Sequence, residues 1–204
     1  MNVNELGFRQ MYHRVCFIRS NTKIINVMKN SDFPGKEKAN GVLVYGYIDY
    51  EAGFTFEVLG WAFCNDNNIV SYDGNETVTI KLRRGSVADS TIILLDKYDD
   101  VRYQSKIDRI NEGYSCSDNV AVTREIELID QCRNGDFPDD VLVYLISENN
   151  EPEGCWVRCL GINDNHIQGR LLNEPNQDFG FHCGETIEFG IMKQEEAYIC
   201  VAAL

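Results

Sequence analysis

Apolar residues along this chain come in short runs separated by Gly, Asn, Asp and Pro, the pattern of many β-strands joined by tight turns. Residues 12–18 (YHRVCFI), 42–48 (VLVYGYI) and 54–64 read as strands rich in β-branched and aromatic side chains. A turn at 65–68 (NDNN) sends the chain back through 69–72, Asp73-Gly74 turns it again, and 77–82 (TVTIKL) alternates as a half-buried strand does. Residues 91–95 form a continuous apolar strand. After the first strand, Ser20 or Asn21 is placed to cap a short helix with Ile24, Ile25 and Met28 on one face, and Pro34 and Gly35 stop it. Residues 96–117 mix Asp96, Asp99, Asp100 and Asp108 with Lys97, Arg102, Lys106 and Arg109 and read as a connector holding a short helix over 101–110. Beyond it, 120–122 is a short apolar run, and Ile126, Leu128, Ile129 and Cys132 give a second helix with one apolar face, ended by Gly135. Residues 141–146, 155–162, 166–172, 185–191 and 198–202 read as strands, with a turn at 163–165.

The second half repeats the order of the first. KIINVMKNSDFP at 23–34 aligns without a gap on ELIDQCRNGDFP at 127–138. VLVY occurs at 42–45 and 141–144, Leu59-Gly60 matches Leu160-Gly161, Asn65-Asp66-Asn67 matches Asn163-Asp164-Asn165, and Glu76-Thr77 matches Glu185-Thr186. The spacing drifts only at turns, where surface loops absorb length at little cost in stability. The expectation is an α+β chain of two tandem copies of a strand–helix–antiparallel β-meander unit: residues 1–98, a connector at 99–117, and residues 118–204. Short turns predict that the strands they join pair antiparallel.

Composition narrows the setting. The 204 residues are 44% hydrophobic and 25% charged, ordinary for a globular chain. No apolar run approaches the roughly 20 residues that cross a bilayer, and the N-terminal stretch is too polar for a signal peptide, so a cytoplasmic location is expected. A formal charge of −13 repels phosphate backbones and favours a basic partner instead. The eight cysteines, in a chain of this length, are expected to be reduced and mostly buried.

Candidate chemistry is sparse. Cys155 and Cys159 share one face of a strand and, with His182 or Cys183, could hold zinc, but the close C-x-x-C pairing of such sites is missing. His13/Cys16, His182/Cys183 and the remote His166/Cys183 are the available thiol–imidazole pairs for nucleophilic catalysis. Neighbours in an extended chain face opposite sides, which disfavours the first two. The acid pairs Asp99-Asp100, Asp139-Asp140 and Glu195-Glu196 read first as solvated surface. No phosphate-cradling glycine loop or catalytic serine motif is present, and no cofactor or metal is expected. The loop at 173–183 (NEPNQDFGFHC) has no counterpart in the first half. Its Glu174, Asp178, Phe179, Phe181 and His182, on a hinge at Gly180, combine aromatic and acidic groups suited to a basic protein partner, unless the phenylalanines tuck under the loop.

Cys155-Trp156-Val157-Arg158, the turn at 163–165, residues 167–172, Asn173-Glu174-Pro175 and Gly184-Glu185 leading into 186–191 resemble the bacterial domain-of-unknown-function family 2314. The likeness covers part of the C-terminal half, and Glu195-Glu196-Ala197-Tyr198 stands where that family closes on an acidic-Trp strand. The resemblance implies a bacterial protein of no settled activity, on the pattern of immunity or accessory proteins in bacterial conflict systems. The expected function is thus a non-catalytic protein-binding module. The alternatives are a small hydrolase-type enzyme using Cys, His and acidic residues, or a structural module that oligomerises through its sheet edges.

Overall fold

A computed structural model describes residues 1–66, 68–95 and 100–203. Asn67 of the first turn, and Asp96, Lys97 and Asp99 of the expected connector, lie outside the described residues. The chain divides into two units, Met1–Ser115 and Cys116–Leu204. Both mix helix with mainly antiparallel strand, as the sequence predicts.

The first unit runs α1 (Phe8–Met11), β1 (Val15–Arg19), α2 (Thr22–Met28), β2 (Gly41–Asp49), β3 (Gly53–Asn65), β4 (Asn68–Ser71), β5 (Lys81–Arg83), β6 (Ile92–Leu94) and α3 (Val101–Gly113). Its sheet is ordered β4-β3-β2-β1-β6, with β5 sharing the β4 edge of the long β3, and every pairing is antiparallel. Eight of the nine β2 residues are buried, with no alternation, because both faces of the sheet are covered. On one face Ile18, Val42, Val44, Phe54, Phe56 and Val58 pack with Phe8 and Met11 of α1 and Ile24 and Met28 of α2. On the other, Phe17, Leu43, Tyr45, Tyr47 and Leu59 pack with Tyr103, Ile107 and Ile110 of α3. The stretch read as a connector, 99–117, therefore contributes a helix to the first unit's core, and the boundary between units falls after Ser115. Asp100 starts that helix by accepting the Arg102 N–H at 3.1 Å, a side-chain cap.

Three local expectations differ here. His13 takes a left-handed φ of 52°, so the first strand begins at Val15, not at residue 12. Asn21 caps α2 through the Ile24 N–H at 2.9 Å, but Ile25 is exposed while Ile24 and Met28 are buried. Of the 77–82 run only Lys81 and Leu82 are strand, because Asn75 Oδ1 accepts from both the backbone N–H (3.0 Å) and the hydroxyl (2.8 Å) of Thr77 and holds the start of that segment in a turn.

The second unit runs α4 (Asp118–Arg124), a 3₁₀ turn at Glu127–Cys132, β7 (Asp140–Ile146), β8 (Glu153–Asn163), β9 (His166–Leu171), β10 (Thr186–Gln194) and β11 (Ala197–Ala203). Its five strands close into a barrel, β10-β11-β7-β8-β9. The four pairings between consecutive strands are antiparallel, as expected, and β11 closes on β7 in parallel. These strands alternate, inside apolar and outside polar: Cys155, Val157 and Cys159 of β8 are buried while Trp156 is exposed. Val143, Val157, Ile167, Leu171, Ile187, Phe189 and Cys200 fill the interior, and Ile129 from the 3₁₀ turn joins them. A Cβ on Gly169 would collide with Val157 Cγ1 and stand 2.9 Å from the Arg158 carbonyl, so β8 and β9 close as tightly as they do only because that side chain is missing. The apolar run at 120–122 is helical, started by the Ser117 hydroxyl accepting from the Val120 N–H. The 126–132 helix is a 3₁₀ helix over Glu127–Cys132, and Leu128 is exposed.

Candidate partner-binding face

Charge divides unevenly between the units. The second holds 17 of the 32 acidic residues but only 5 of the 19 basic ones, so −12 of the net charge falls on it and −1 on the first. Three of its five cations are committed inward. Arg124 makes a two-pronged bond to Asp139 (2.8 and 2.7 Å), with both side chains buried. Arg158 does the same with Asp140 (2.6 and 3.0 Å). Arg133 meets Asp130 at 3.0 Å and donates to the carbonyls of Pro138 and Thr123. The Asp139-Asp140 pair is therefore not solvated surface. It pins α4 and β8 to the start of β7 through forked, charge-assisted bonds. The Glu195-Glu196 pair is exposed at the β10–β11 turn, where Glu195 has φ 53°.

The loop at 173–183 forms a strap from β9 to β10. Glu153 anchors its start, accepting from the backbone N–H groups of Asn176 (2.7 Å) and Gln177 (3.3 Å). Asp178 accepts the Gly180 N–H at 2.9 Å, with Gly180 in the left-handed region at φ 78°. Glu174 accepts from the Cys183 N–H (2.8 Å) and from His182 Nδ1 (2.7 Å). The backbone bond from Cys183, then the His182 bond, hold Glu174 below the usual carboxylate range, and the Glu174 bond raises His182 above an ordinary imidazole. Phe179 is 6% exposed and lies in the barrel core, with Phe181 packed against it. Of the five residues read from the sequence as partner-binding, the strap thus brings Glu174 and His182 together, leaves Asp178 at the surface, and turns Phe179 and Phe181 inward. Phe179 fills the barrel core and Phe181 is half-buried against it.

The outer wall offers a different surface. A groove of about 370 Å³ runs along β10, lined by His166, Glu188, Met192, Val201 and Ala203 over the bare Gly190. Glu188 stands at its edge, fixed by Asn163 and Gln168 amides at 3.0 Å each. Those bonds, Asn163's first, keep it ionised below the usual range. Met192 is 44% exposed. The groove thus sets an ionised carboxylate beside the side chains of Met192 and Val201.

The first unit has a cleft of about 210 Å³ lined by Glu57, Glu76, Lys81, Lys106, Arg109 and Tyr114. Lys106 is buried there, donates at 2.8 Å to the carbonyls of Val58 and Val78, and lies 3.5 Å from Glu57. Burial, partly offset by Glu57, lowers its pKa. Its donors are directed at groups that hold α3 to β3, a structural use. Tyr114 accepts from Lys81 at the cleft wall.

The thiol–imidazole pairs weighed from sequence separate as follows. Cys16 is buried and pushed up to about 12 by burial, while His13 stacks on Tyr12 with ring centroids 3.9 Å apart. Cys155 and Cys159 are buried in the barrel, Cys183 is exposed on the strap, and His166 opens β9 on the outer wall. Among the described residues no group of three or more His, Cys, Asp or Glu is placed to hold a metal ion. No described helix is long and apolar enough to cross a membrane.

Fold and surface define a class: a two-unit α+β chain that joins a helix-covered open sheet to a small, strongly acidic closed barrel. Compared with protein-family models, characterised proteins and solved structures, the chain matches none.

Proposed function

We propose that the chain is a non-catalytic binding protein of the bacterial cytoplasm, of the immunity or accessory kind that the likeness to family 2314 implies, and that its barrel unit captures a basic partner. The observation that carries this reading is the segregation of charge: −12 within Cys116–Leu204, with three of its five cations bonded to acids of the same unit. Such a field steers cationic surfaces into contact and rejects nucleic acid. Glu188 beside the Gly190 groove supplies an anchor point, and Glu195 and Glu196 at the tip of the same hairpin extend the negative rim. Glu174 and Asp178 add to the field from the strap.

The test is calorimetric titration of the full chain with an arginine-rich peptide, against Glu188→Lys/Glu195→Lys/Glu196→Lys. The triple variant should bind at least about tenfold more weakly, with a weaker salt dependence. Equal binding by both proteins would contradict the proposal.

Descent of both units from one repeat is part of this reading. VLVY opens the first strand of a hairpin in each unit, and Leu-Gly marks a bulge in the next strand: Leu59 is skipped between β2 and β3, Leu160 between β8 and β9. A second function, self-association through the first sheet's open edge, is favoured by the exposure of Val70 on β4 and Phe63 on the adjoining β3. Sedimentation showing a concentration-independent monomer would remove it.

A further inference from the structure

We propose that the groove over Gly190 is a pocket for one arginine side chain of a basic partner, an inference that rests on the barrel wall being the surface that captures that partner. Gly190 sits inside β10, where a glycine weakens a strand and gives it no side chain to pack. Two common reasons for a glycine fail at this position. Its φ lies outside the left-handed region, and a Cβ built on it would meet nothing within 4 Å, whereas one on Gly169 of β9 would strike the β8 backbone. What the missing side chain does is leave the groove open. Val201 faces Gly190 across the β10–β11 pairing, Glu188 and Met192 flank it along β10, and His166 and Ala203 complete the outer lining. At about 370 Å³ the groove stands near the lower end of ligand pockets, about 300–1,000 Å³, with room for a side chain and not for a folded surface.

The chemistry of the lining selects the occupant. Glu188 Oε1 accepts the amides of both Asn163 and Gln168 at 3.0 Å, so the carboxylate is held in place. Its Oε2 accepts from none of the described residues and is left for a donor from outside. A cationic head group there makes a charge-assisted bond to an oxygen that is already ordered before binding. The field of a unit carrying −12 favours the same sign of ligand. Arginine fits this site better than lysine. A guanidinium is planar and weakly hydrated, so it lies flat on the bare peptide of Gly190 with its stem against Met192 and Val201. A lysine ammonium is compact and strongly hydrated, and gains little from a flat floor. A side chain at position 190 would stand where the guanidinium lies.

The experiment titrates the full chain calorimetrically with oligolysine pentapeptides that differ only at the central residue: lysine, arginine or citrulline. Lysine and arginine carry the same charge, so an acidic wall without a pocket treats them alike. The arginine peptide should bind at least about fivefold more tightly than the lysine peptide. Citrulline, which keeps the shape and loses the charge, should bind at least about tenfold more weakly than arginine, the size of one charge-assisted bond. Gly190→Ala should lower the preference for arginine over lysine and Gly190→Val should abolish it, with Gly190→Ala melting no lower than the wild type because its Cβ meets no neighbour. Equal binding of the lysine and arginine peptides overturns the pocket and leaves the acidic-wall reading standing, whereas no binding of any peptide overturns both. A preference that survives Gly190→Val puts the arginine elsewhere and overturns the inference. So does a Gly190→Ala chain that melts several degrees lower, since the glycine then serves the bend where β10 changes partner from β9 to β11. The comparison of the peptides on the wild type needs no variant, so a misfolded Gly190→Val does not blunt the test.

Discussion

The word VLVY is spelled identically at 42–45 and 141–144, and the two units use it in opposite ways. In β2 all four residues are buried, because α1 and α2 cover one face of the sheet and α3 the other. In β7 burial alternates, because the sheet closes on itself and only the inward side chains leave water. A closed barrel of five strands turns every second side chain of each strand outward. In this chain that outer wall belongs to the unit with −12 of the charge, while the helix-covered sheet is nearly neutral at −1. Which faces a sheet covers decides where surface chemistry can accumulate.

The contrast can be broken most forcefully at the buried charges. Arg124→Ala leaves the Asp139 carboxylate buried and unpaired in the barrel unit, and should cost about 3–5 kcal/mol. Lys106→Ala does the same to Glu57 in the open sheet, with a similar cost of about 3–5 kcal/mol. Denaturant melts read by hydrogen exchange should place each loss in its own unit, and Arg124→Met/Asp139→Leu should recover most of the first. Phe179→Ala should cost about 3 kcal/mol, as truncation of a core aromatic does. A loss under about 0.5 kcal/mol would mean that the strap's aromatic is surface after all. Gly169→Ala drives a Cβ against the Arg158 carbonyl and should cost about 1–3 kcal/mol, a constraint set by barrel closure.

Much of the fold was legible in the sequence, and the reasons for the rest are local. Strand positions from β2 to β11 followed β-branched runs between Asn, Asp and Gly turns, and Asp164 and Asn165 take the left-handed φ values (44° and 74°) that their residue types favour. The alternation in 77–82 misled because the Asn75 side chain captures Thr77 before the ladder can. Parallel β11–β7 closure leaves no trace in turn chemistry, since it joins the first and last strands of the barrel. The candidate site was harder to read. Phe179 and Phe181 look alike in a polar loop whether they plug a barrel or meet a partner. Asp139-Asp140 reads as surface until Arg124 and Arg158 arrive from elsewhere in the chain.

The smallest expected effect is a pH window at the strap. His182 has a raised pKa, so its contribution is complete below the ordinary value of about 6.5 and is lost as pH rises through the raised one. Glu174 has a lowered pKa, so its contribution is complete above about 4.3 and is lost as pH falls through the lowered one. Hydrogen-exchange protection of the Cys183 amide should peak between those limits, and His182→Gln should remove its alkaline limb.

The proposal that the acidic barrel wall is the binding surface makes a residue-level prediction. An NMR titration of the full chain with an arginine-rich peptide tests it residue by residue. Chemical-shift changes should be confined to Cys116–Leu204 and centred on Glu188, Gly190 and Val201, with Glu195 and Glu196 at the rim. Shifts centred on the Lys106–Glu57 cleft of the first unit, or none in the barrel at saturating peptide, would contradict it.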